Sequence, residues 1–120
     1  MLADLKGSTM KLSAIAEAII DWGCIPASRA LGTMGSAHVR AYQAGSTQMR
    51  LVEYGPGYLA DHWCTKGHII YVLSGELLIE HENGQDPCRL QAGMSWCVGD
   101  DEGPPHRVCS AEGATIFIID

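Results

Sequence analysis

Gly57-Tyr-Leu-Ala-Asp-His-Trp-Cys-Thr-Lys-Gly-His-Ile-Ile-Tyr-Val-Leu-Ser-Gly75 gathers three of the chain's metal-binding residue types ahead of its most apolar run. It sets His62 and Cys64 two residues apart in an apolar, strand-like context. A turn signal at Thr65, Lys66 and Gly67 follows, then His68 and the most hydrophobic run of the protein. Side chains alternate across a strand, so His62 and Cys64 are expected on one face and Trp63 on the other. The turn is expected to fold His68 back beside them. Three soft or borderline donors on neighbouring strands predict a metal site.

On both sides of this stretch the pattern is one of short strands. Residues 37–44, 48–54, 58–64, 68–73, 76–82, 94–98, 107–110 and 114–119 all read as strands, separated by turns that carry glycine. Asn83-Gly84 is the strongest single hairpin signal. Strands at this spacing predict an all-β sandwich or barrel. Before them, 11–21 carries Ala14, Ile15, Ala18 and Ile19 at helical spacing, with Ser13 as an N-cap and Gly23 and Pro26 as punctuation. This segment is expected as a short helix or an extended arm. Residues 1–10 are expected as a loose extension, with Met10 as an alternative start.

With 120 residues, 47% of them hydrophobic and 18% charged, the chain reads as one globular domain over 1–120. No apolar run approaches the roughly 18 residues of a membrane span. The run 12–20 is interrupted by Glu17 and lacks a small-residue cleavage site, so it reads as part of the mature protein. A net charge of −6 with eight scattered basic residues argues against nucleic acid as a partner. Five cysteines, an odd number with no CxxC pair, fit free thiols in a reducing cytoplasm better than a disulfide framework. The acidic run Asp100-Asp101-Glu102 lacks the spacing of an EF-hand and reads as a solvated turn.

That turn leads through Pro104 and Pro105 to His106, at the start of a later strand. Each of His62, Cys64, His68 and His106 taken alone reads readily as a buried or hydrogen-bonded side chain. As a set on adjacent strands of a closed barrel they can form a four-coordinate centre. Arg50 and Tyr54 alternate on one strand face, and His38, Arg40 and Tyr42 on another. Arg40, Arg50, Tyr54 and Tyr71 are therefore candidates for a substrate pocket, with a solvent-facing position the competing reading for the arginines. No Gly-x-Ser-x-Gly elbow or nucleophilic triad is present.

Gly57, His62, Cys64, His68 and Gly75 resemble the first cupin motif, written G-x5-HxH-x3-4-E-x6-G, and Asp101-x-Gly103-x-x-His106 resembles the core of the second. More narrowly, Asp61-His62-Trp63-Cys64 followed by Lys66-Gly67-His68 is similar to the small single-domain DHCW-motif cupins. Cys64 stands where the second histidine of the general motif would be, and His68 where its glutamate would be. Asp101 replaces the proline of the second motif. The resemblance implies a double-stranded β-helix, or jelly-roll barrel, with His62, Cys64, His68 and His106 as ligands of one divalent ion. It also implies a homodimer.

A thiolate for an imidazole and an imidazole for a carboxylate soften the donor set toward zinc, iron or nickel rather than magnesium, calcium or manganese. Four bound donors would make a closed structural site, and three would leave a position for water or substrate. Two functions fit these residues. One is a metal-dependent enzyme, of oxygenase or isomerase type, acting on a small organic molecule. The other is a non-enzymatic small-molecule or metal-binding, sensory module with a structural ion. A metal-free barrel whose histidines line a polar pocket is a weaker third.

Overall fold

The last strand shows how the barrel is built. In Ala114-Thr-Ile-Phe-Ile-Ile119, Ala114, Ile116 and Ile118 are buried while Thr115, Phe117 and Ile119 are only partly covered, the alternation of a strand with one face on a core. The computed structural model describes residues 14–120. Nine antiparallel strands follow one another: β1 (Ser28–Leu31), β2 (Ser36–Ala44), β3 (Thr47–Tyr54), β4 (Tyr58–Leu59), β5 (His68–His81), β6 (Cys88–Gln91), β7 (Ser95–Val98), β8 (His106–Ser110) and β9 (Ala114–Ile119). They pair in the order β1-β2-β3-β9-β5-β8-β4, with β7 and β6 also laid along β5. The architecture is that of a jelly-roll barrel.

β5 is the spine. Its first half pairs with β7 and β9, and its second half with β6 and β8. A bulge between Val72 and Ser74 inserts one residue into the ladder with β9. The extra residue flips the parity of the strand: Ile70 and Val72 face the core before it, Leu77 and Ile79 after it. Gly75 follows at φ +78°, and a Cβ there would lie 2.2 Å from the Gly113 carbonyl oxygen. The sequence places a turn at Ser74 and Gly75, with separate strands on either side. The structure instead keeps one continuous strand that bends there, because a bulge absorbs the change of direction.

Two short strands, β1 and β6, were not expected. The expected strand over 58–64 ends at Leu59. Asn83-Gly84 does lie in the connection between the paired strands β5 and β6. Of the possible N-terminal helix, residues 11–13, with the Ser13 cap, lie outside the described residues, and 15–21 are not helical. Ile19 is fully exposed and Ile15 partly so. A short helix without a packed face is marginal in water, and the segment is an arm instead. It ends in a single 3-10 turn at Trp22–Cys24, where the Asp21 carboxylate accepts from the Gly23 amide and Trp22 packs edge-on against Phe117.

Candidate metal centre

Cys64 and His106 are placed by the backbone. They face each other as an isolated antiparallel bridge and exchange both hydrogen bonds, Cys64 N–H to His106 O at 2.8 Å and His106 N–H to Cys64 O at 2.9 Å. Two residues further along the later strand, the Ala60 amide donates to the Val108 carbonyl. Ala60 to Cys64 therefore spans more residues than the opposing Val108 to His106, and the excess, including His62, is pushed out of the ladder. His62 and Cys64 thus do not sit on one strand face as the alternation predicts. The His62 ring is 74% exposed and its Nδ1 lies 2.7 Å from the Asp61 carboxylate. Trp63 turns away from the centre and stacks beneath the Arg107 guanidinium, 4.3 Å from the ring centroid.

His68 arrives at the start of β5, and its approach is fixed by the loop before it. The Gly67 amide donates to Asp100 Oδ1 at 2.6 Å, and the Asp101 amide to the Thr65 carbonyl at 3.0 Å. A Cβ on Gly67 would meet Val98 O and Asp100 N at 2.8 Å, so only glycine lets the two loops close. The acidic turn thus clamps the loop that carries the candidate ligands.

One donor atom each from Cys64, His68 and His106 lies within 4.8 Å of the others. Cys64 Sγ is 3.7 Å from His68 Nε2, close to the edge of about 3.6 Å expected for a sulfur and a nitrogen sharing a tetrahedral zinc. The His106 ring packs edge-on against His68 and Trp96, with centroids 5.2 and 5.0 Å away. Its Nε2 is buried and has no hydrogen-bond partner, although buried polar atoms are almost always paired. Burial, together with the neighbouring His68 and His81, pushes the His106 pKa down to about 4. Burial also lowers that of His68, partly offset by the Asp120 carboxylate. Both rings are accordingly neutral near pH 7 and have lone pairs to give. The Lys66 amide donates to Cys64 Sγ at 3.3 Å, which helps to fix the sulfur in place. Two imidazoles and a thiol with an orphaned nitrogen among them fit a transition metal.

The centre opens on a cavity of about 330 Å³, within the range of small-molecule sites. Arg50, Tyr54, Tyr58, Lys66, Ile70 and Ile118 contribute to its wall, and His62 stands at the same cavity outside the three-donor cluster. Burial, with Tyr58 nearby, raises the Tyr54 pKa, so its phenol stays protonated. The other two pocket candidates point elsewhere. Ala37 is buried, so the 37 and 39 side of β2 faces inward and Arg40 faces outward, bonded to Glu53 and the Ile25 carbonyl. Tyr71 lies between the buried Ile70 and Val72 and is 42% exposed on the outer face. A residue that sequence reasoning missed also lines the cavity: the Asp120 carboxylate, 2% exposed, lies 2.8 Å from His68 Nδ1 and accepts from Arg50 at 2.5 Å. No motif flags it, because it meets His68 only through the pairing of β5 with β9. The five cysteines are all free thiols, and among the described residues no helix is long and apolar enough to cross a membrane.

No protein-family model and no curated protein matches the chain. Solved structures do. A cupin-2 domain protein from Shewanella frigidimarina is 22% identical with a TM-score of 0.55, over 68% of this chain and 78% of that one. A predicted oxalate decarboxylase from Thermotoga maritima is 10% identical with a TM-score of 0.68, over 85% of this chain and 96% of its own. HppE, solved with Fe(II) and an alternative substrate, is 13% identical with a TM-score of 0.68, over 87% of this chain and 60% of its own. At these identities the likeness is one of architecture: the chain has the fold of the cupin-domain proteins.

Proposed function

We propose that this chain is a DHCW-motif cupin that holds one zinc, iron or nickel ion on Cys64, His68 and His106 and acts as a metal-dependent enzyme on a small organic molecule. The observation that carries the reading is the convergence of three donors within 4.8 Å at the wall of a cavity. An ion on these three protein donors would keep a coordination position for water or substrate and would supply Lewis acidity to an oxygen there. The chain's own residues bind and orient the substrate. Tyr54 offers a protonated hydroxyl, Lys66 a cation at the mouth, and Ile70 and Ile118 an apolar surface that limits water. Fe(II) in the similarly folded HppE supports a redox-active ion; an oxygenase-type reaction and isomerisation through Lewis acidity are the two uses of the same open position.

One observation favours a second reading. His62 is exposed beside the same cavity, and as a fourth donor it would close the shell and leave a structural or sensory ion. The test is elemental analysis of protein purified without added metal, beside Cys64→Ser. About one equivalent of zinc, iron or nickel in the native protein, lost in the variant, is the expected result. A native protein that takes up no metal even after reconstitution under reducing conditions refutes the proposal.

A further inference from the structure

We infer that Asp120 is a positioning residue for this centre: its carboxylate, itself held by Arg50, locks the His68 ring in the tautomer that presents Nε2 to Cys64 and His106. The inference rests on the metal-binding reading above. It starts from who can donate to whom. An ionised carboxylate only accepts, so the 2.8 Å contact between Asp120 Oδ2 and His68 Nδ1 requires the hydrogen on Nδ1. A neutral ring protonated there has its lone pair on Nε2, the nitrogen 3.7 Å from Cys64 Sγ. Without the carboxylate, either tautomer is open to the ring, and rotation about its side-chain bonds is no longer opposed.

The arrangement is built to hold still. The Asp120 main chain is clamped to Gln48 by two hydrogen bonds, Gln48 N–H to Asp120 O at 2.6 Å and Asp120 N–H to Gln48 O at 3.0 Å. Its side chain is 2% exposed and that of His68 is 11% exposed. Arg50 donates to the same oxygen at 2.5 Å, which holds the carboxylate aimed at the ring. A packed Arg-Asp-His relay ending at a converged donor set is the geometry by which second partners orient metal-binding histidines.

Two measurements test it. The first is the imidazole nitrogen NMR spectrum of the metal-free native protein at pH 8, where His68 is expected with its hydrogen on Nδ1. The second is competition of Zn²⁺ against a chromophoric chelator for the native protein, Asp120→Asn and Asp120→Ala. Asp120→Ala is expected to lose about 10- to 100-fold in affinity. Asp120→Asn retains an acceptor and should fall between it and the native protein, and it carries the test if the alanine variant does not fold. A hydrogen on Nε2 of His68 overturns the inference, and so does native-like Zn²⁺ affinity in the variants. If the native protein itself binds no Zn²⁺, the metal reading fails with it, whereas native binding with unaffected variants removes only the role of Asp120.

Discussion

Replacing His106 by phenylalanine should make the metal-free protein more stable and at the same time abolish metal binding. The ring sits in a nearly closed position, 4% exposed, with a buried Nε2 that no protein group satisfies. An unpaired buried polar atom costs about 1–3 kcal/mol. Phenylalanine removes that cost and can retain the edge-on contacts with Trp96 and His68. Its slightly larger ring has the adjoining cavity to expand into, and misfit on this scale costs up to about 1.5 kcal/mol. The net gain is therefore about 1 kcal/mol near pH 8, or roughly 4 °C in Tm for a domain of this size.

The same substitution has a pH signature. The imidazole titrates at 6.5 when free and at about 4 in the folded protein. Between these values the unfolded chain binds more protons, so native stability falls as pH drops through the window. At about 1.36 kcal/mol per pH unit the loss approaches roughly 3 kcal/mol by pH 4, and the phenylalanine variant escapes it. The assay is urea denaturation of both chelator-treated proteins at several pH values from 8 to 4. The variant's advantage should widen toward acid, and added Zn²⁺ should raise the Tm of the native protein alone. A variant less stable than native at pH 8, or a gap that does not change with pH, would make His106 a satisfied core side chain rather than an unpaired donor.

His62→Ala separates an open centre from a closed one: with three working donors, Zn²⁺ affinity measured by chelator competition should stay within about threefold of native, since the ring is exposed and bonded to Asp61. A loss of a hundredfold would place His62 in the shell. Ser110→Ala should destabilise the fold by about 2–4 kcal/mol in urea denaturation, because the buried hydroxyl donates to the Glu76 carbonyl at 2.7 Å and accepts from the Gly113 amide at 3.0 Å, leaving two backbone groups unpaired. A change below about 1 kcal/mol would mean that water replaces the hydroxyl.

The strands were legible because their period is local. Ala114, Ile116 and Ile118 alternate with Thr115, Phe117 and Ile119, and the burial follows that alternation residue for residue. β1 and β6 were not legible, for they carry Arg29 and Arg89 among few apolar residues and are strands by virtue of pairing with β2 and β5. The break read at Ser74 and Gly75 is a bulge, and a glycine at φ +78° looks the same in sequence whether it ends a strand or bends one.

The same distinction between local and distant causes explains the site. Cys64, His68 and His106 could be named from residue type and spacing, and the structure brings their donors together. Side-chain alternation puts His62 beside Cys64 only on an unbroken strand. The ladder between 60 and 64 carries more residues than its partner between 106 and 108, and that mismatch can be seen only once the register is known. Arg40 and Arg50 looked alike as candidates until the buried Ala37 fixed which side of β2 faces in. Asp120 had no local signal at all: it lies 52 positions from His68 and reaches it because Ile69 pairs with Ile119. Spacing therefore finds the atoms that bind, while register finds the atoms that aim them. On this chain the aiming depends on a carboxylate and an arginine that no motif would name.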